Sequence, residues 1–88
     1  MDSKSASPKH RRMVLRQQQR PALAEFGERL RAVRLALGLS QEALADLAGF
    51  DRTYVSLVER GRRNISLLNI CKFAKALKTT AAELVRDL

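Results

Sequence analysis

Arg52, Thr53, Ser56, Leu57 and Arg60 are the residues of this 88-residue chain whose types and spacing suit chemistry with an outside partner. They lie in the stretch FDRTYVSLVERGRRN, residues 50–64. At roughly 100° per helical residue, Thr53, Ser56 and Arg60 fall together, flanked by Arg52 and Leu57. Val55 and Val58 fall on the opposite side, with Tyr54 at its edge. Arginine can hold guanine O6 and N7 in a fork, hydroxyls can bond several bases, and an aliphatic chain can touch the thymine methyl. The pattern predicts a helix turned toward a DNA major groove, with these five residues reading bases. Arg62, Arg63 and Asn64 follow Gly61 on a turn, where side chains and N–H groups can grip phosphates, and Tyr54 is assigned to the same phosphate-binding group. A merely solvated basic turn is the alternative.

The composition agrees with such a partner. Seventeen Lys and Arg residues stand against nine Asp and Glu, a formal charge of +8, which favours a polyanion, with nucleic acid ahead of a membrane surface. Eighty-eight residues allow one domain with a marginal core. A single cysteine, Cys71, excludes an internal disulfide or a cysteine metal site and fits a reducing, cytoplasmic setting. No apolar run reaches the roughly 20 residues that span a bilayer, and no signal-peptide core is present, so neither membrane association nor export is expected.

Residues 1–20 differ from the rest. Six basic residues (Lys4, Lys9, Arg11, Arg12, Arg16 and Arg20) against Asp2 carry five of the eight net charges. MDSKSASPK is polar enough to be disordered, and HRRMVLRQQQR could form a short helix with little apolar content to hold it. The segment reads as a disordered basic tail, or else as an arm tracking DNA phosphates or a minor groove.

Residues 21–88 form the domain proper, and their elements must position the groove-facing residues. Pro21 suits a first helical position, Phe26, Leu30, Val33 and Leu37 make an amphipathic stripe, and Gly38 suits the left-handed stop. Ser40, Asp51, Ser66 and Thr80 are N-cap candidates. Leu39 with Leu44, Phe50 with Val55 and Ile65 with Ile70 match hydrophobic staples, and Thr80 with Glu83 matches a capping box. Five helices are predicted, near 21–37, 40–48, 51–60, 66–77 and 80–87, in an all-α fold. The core stripe of the fourth is Leu67, Ile70, Phe73, Ala74 and Leu77.

Ala45, Gly49 and Val55 have the spacing of a helix-turn-helix: a small residue at the crossing, a glycine in the turn, then an apolar residue pointing inward. An ordinary αα-corner is the alternative. SQEALADLAG, DRTYVSLVERGRRNIS and LLNICKFAKAL together resemble the Cro/cI-type (XRE-like) helix-turn-helix regulators, over about residues 22–88. DRTYVS and ERGRRN resemble in particular the controller proteins of restriction–modification systems. The resemblance implies a five-helix, lambda-repressor-like DNA-binding domain. It implies a phosphate contact from Gln41, at the first turn of the second helix. It also implies a partly buried salt bridge between Arg34 and Glu59 that braces the motif.

The expected partners are double-stranded DNA and a second copy of the chain, on a palindromic or pseudo-palindromic operator, with no small-molecule ligand and no cofactor or metal. Leu68 lies roughly 150° from the core stripe of the fourth helix. With Cys71, Val85 and Leu88 it makes the expected dimer surface. Cys71 reads as a packing or interface residue, and His10 as a tail residue without a partner. No nucleophile–base pair or phosphate loop suggests an enzyme. The competing reading is an antitoxin-type protein-binding module that also binds its own operator.

Overall fold

Five helices and no strand make up the described residues of the computed structural model, which covers the backbone of residues 8–88 and side chains from Pro21 onward. The elements are α1 (Pro8–Ala36), α2 (Gln41–Ala48), α3 (Arg52–Glu59), α4 (Leu67–Ala76) and α5 (Ala81–Val85). Most of the disordered segment expected from MDSKSASPK lies outside the described residues.

Capping chemistry starts three of the helices as expected. Ser40, Ser66 and Thr80 accept hydrogen bonds from the amides of Ala43, Asn69 and Glu83 at 2.9, 3.1 and 3.1 Å. Asp51 stands at the N-cap of α3 in extended geometry, but its side chain makes no cap bond. The Thr80–Glu83 box is half formed, because the Glu83 carboxylate turns to Arg86 Nη2, 3.2 Å away. Gly38, Gly49 and Gly61 take φ of 72°, 81° and 71° at the three turns that follow α1, α2 and α3, a region glycine enters without steric cost.

The first helix departs from its expected bounds. Pro21 lies inside it rather than at its start. Proline has no amide to give the Gln17 carbonyl, but the Arg, Gln, Leu and Met residues of 11–20 are strong helix formers that offset the lost bond.

Phe26, Leu30, Leu44, Ala45, Val55, Val58, Phe73, Ala74, Leu77 and Leu84 form the core, drawn from all five helices. Phe73 is fully buried and stacks parallel to Tyr54, with Phe50 tilted between them at 4.8 Å from each ring. Burying one such side chain contributes about 1.5–3 kcal/mol. Two expected core residues are outside. Leu37 is 47% exposed and Leu67 73% exposed. Both sit at helix boundaries, where a staple residue across the turn (Leu39 and Ile65, respectively) packs against the core instead.

Candidate nucleic-acid interface

α3 presents two chemically different sides. Val55, Val58 and Glu59 are buried, whereas Arg52, Thr53 and Arg60 are exposed and Ser56 and Leu57 are half-buried. The five residues expected to read bases therefore share the outward side of one short helix. α3 ends at Glu59, so Arg60 is its C-cap, and its Nε donates to the Ser56 carbonyl oxygen at 3.4 Å. Arg62, Arg63 and Asn64 are exposed on the turn that follows.

A buried ionic network fixes the angle of this helix. Arg34 Nε and Nη2 donate to the two Glu59 carboxylate oxygens at 2.6 and 3.0 Å. Both side chains are almost wholly enclosed. Arg34 Nη1 also donates to the Leu39 carbonyl oxygen at 2.8 Å, which ties α1, the turn before α2 and α3 together. The bond to Glu59 raises the Arg34 pKa above its ordinary value, so its charge is locked on. Gln41 Nε2 donates to Glu59 Oε1 at 3.1 Å. Its second amide hydrogen remains for another acceptor at the first turn of α2.

Tyr54 and the arginine turn are joined as well. The Arg63 guanidinium lies 5.2 Å from the Tyr54 ring centroid, within the range of a cation–π attraction. The Tyr54 hydroxyl accepts from Asn69 Nδ2 at 3.0 Å, which leaves its own hydrogen free to donate outward.

The HTH_3 helix-turn-helix profile matches residues 30–84, more than half of the chain. The chain belongs to the helix-turn-helix family. Among its solved relatives is the restriction–modification controller protein C.AhdI from Aeromonas hydrophila. That structure shares 60% identity and a TM-score of 0.70 with this one, over 70% of this chain and 94% of its own. The control protein C.MunI from a Mycoplasma species is 42% identical over 64 residues, which is 72% of this chain and 86% of that protein. A hypothetical transcription factor of Neisseria meningitidis serogroup B is 54% identical over 56 residues, 64% of this chain. The chain spans only about half of that protein, 53% of its length.

Several contacts that hold this helix-turn-helix were not legible from motifs. Gly27 is buried in mid-helix, and a Cβ there would lie 2.5 Å from the Val58 carbonyl oxygen and 2.7 Å from the Glu59 carbonyl carbon. Its signal in the sequence is its cost, because an interior glycine gives up about 1 kcal/mol against alanine and so marks close packing. Gly61 meets α1 in the same way, where a Cβ would lie 2.8 Å from Ala24 Cα. Arg29 reaches the end of α5, donating through Nη1 to the Leu84 and Arg86 carbonyl oxygens at 3.2 and 2.6 Å. No spacing rule joins residues so far apart in sequence.

Leu68, Cys71, Val85 and Leu88, the expected dimer surface, are all exposed, and Leu67 joins them on α4. Among the described residues, no cluster of His, Cys, Asp and Glu could hold a metal ion, and no helix is long and apolar enough to cross a membrane.

Proposed function

We infer that the chain is a sequence-specific, double-stranded DNA-binding transcriptional regulator of the restriction–modification control type. It reads the major groove with α3, as a homodimer on a palindromic or pseudo-palindromic operator. The observation that carries this reading is the exposed polar side of α3, set at a fixed angle by the buried Arg34–Glu59 pair. Membership of the helix-turn-helix family and the names of the controller relatives support it. Arg52, Thr53, Ser56, Leu57 and Arg60 contact base edges. Gln41, Tyr54, Arg62, Arg63 and Asn64 hold phosphates, Gln41 and Tyr54 each with a donor hydrogen left over from its internal bond.

Base and phosphate contacts have different signatures. Arg52→Ala should cost about 1–3 kcal/mol and relax preference at one position per half-site. Arg63→Ala should weaken operator and unrelated duplexes alike, because phosphates carry no sequence. Selection from randomised duplexes with wild type and both variants measures this. A loss of sequence preference in Arg63→Ala but not Arg52→Ala would reverse the two assignments, and no effect from either would overturn the groove-facing reading.

Dimerisation places the two α3 helices about 34 Å apart, one turn of DNA. The apolar residues Leu67, Leu68, Cys71, Val85 and Leu88 supply its contact surface. Sedimentation equilibrium should show a dimer at tens of micromolar. A monomer under those conditions, both with and without operator, rejects it.

A further inference from the structure

We propose that the N-terminal part of α1 is a second DNA-contacting element, a helical register of basic positions that lies along the duplex backbone outside the half-site read by α3. The proposal rests on the DNA-binding reading above. It starts from register. α1 is helical from Pro8 to Ala36 without a break. At roughly 100° per residue, Lys9, Arg12, Arg16 and Arg20 fall within an arc of roughly 80°. Their positions therefore share one line of the helix over about 16 Å.

The same line continues into the part of α1 that packs on the motif. By register Leu23 and Gly27 fall within the arc and Ala24 just beside it. Gly27 faces the carbonyl oxygens at the end of α3, and Ala24 faces Gly61 in the arginine turn. A shallow cleft lined by Leu23, Ala24, Arg60, Gly61 and Arg62 marks where α1 passes that turn. The basic positions thus leave the domain on the side where Arg60 and Arg62 are placed, and they extend that charge by about three and a half turns of helix.

Electrostatics selects the occupant. Like charges three or four residues apart destabilise a helix, so the stripe favours a polyanion that relieves their repulsion. A second copy of this chain, itself at +8, offers the stripe no matching row of negative charge. A duplex, with one phosphate charge for every ~1.7 Å of axis, supplies a continuous row of acceptors already positioned by the turn.

The full-length chain tests this through the quadruple variant Lys9→Gln, Arg12→Gln, Arg16→Gln and Arg20→Gln. A second variant, Arg16→Gln with Gln18→Arg, keeps the charge but moves it to the opposite side of the helix. Fluorescence anisotropy over a salt series is run on a selected operator duplex and on an unrelated duplex of equal length. The slope of log K against log salt should fall by roughly 0.9 for each phosphate no longer neutralised. It should fall equally on both duplexes, with sequence preference intact. The charge-conserving swap should lower the slope by one such step, and hydroxyl-radical footprints of the quadruple variant should shorten outside the half-sites. A wild-type slope in the quadruple variant overturns the proposal. A lowered slope there with a wild-type slope in the swap overturns the stripe, since charge would act without register. If wild type itself shows no operator preference, the reading of α3 fails, while the slopes on the unrelated duplex still decide the stripe.

Discussion

Glu59→Ala should cost about 3–5 kcal/mol of folding stability, because it leaves the Arg34 guanidinium buried without its carboxylate. The pair is enclosed on both sides, and three donor groups converge on the Glu59 oxygens. Small domains have only about 5–15 kcal/mol in total, so the single change takes up much of the margin. Replacing both charges, as Arg34→Met with Glu59→Leu, should cost far less than the sum of the single changes, since no charge is then left unpaired. Urea unfolding of Arg34→Met, Glu59→Leu and the double variant gives this coupling directly. Additive losses would mean that the network contributes nothing as a pair. DNA binding should weaken in every folded variant that lacks Glu59, because Gln41 then loses the carboxylate that orients it.

Gly27→Ala should also destabilise, against the trend of helix propensity. Alanine in a helix interior is worth about 1 kcal/mol more than glycine. At this position the added methyl meets the backbone at the end of α3, 2.5 Å from the Val58 carbonyl oxygen. Backbone cannot rotate away as a flexible side chain would, and overpacking of such a site costs about 1–3 kcal/mol or more. The steric term wins, for a net loss on the order of 2 kcal/mol. In a domain of this size each kcal/mol lowers Tm by about 4–8 °C. A thermal melt therefore reads the sign plainly, and a rise in Tm would show that α1 and α3 are not packed so closely. Because the displaced atoms belong to α3, operator affinity should fall more than stability alone requires.

The two substitutions separate what is local in this protein from what is not. Ser40, Ser66 and Thr80 could be assigned as caps because each bonds an amide three residues on, and the chemistry is complete within one turn. The two sides of α3 were legible for the same reason, since the positions of Val55 and Val58 relative to Thr53 and Ser56 follow from helical pitch alone. Local rules fail where two neighbours compete. Leu37 against Leu39, and Leu67 against Ile65, are each a choice between apolar residues flanking a helix end, and only the packing of the next helix decides which is covered. Asp51 could cap by its type, yet its side chain makes no cap bond.

Contacts between distant segments were legible only in part. Family resemblance supplied the Arg34–Glu59 pair, but neither the chain's periodicity nor its charge pattern brings residues 34 and 59 together. Gln41 as a third member, Arg29 at the end of α5 and Gly27 under α3 became visible only in the folded chain. Apart from the start of α1, the amino-acid sequence by itself determined the helices, their order and the outward polar side of α3, because hydrogen bonds and side-chain register within a few residues specify them. Tertiary structure alone decided the angle at which α3 is held, because that angle depends on a buried carboxylate and a missing Cβ that join segments 25 or more residues apart in the chain.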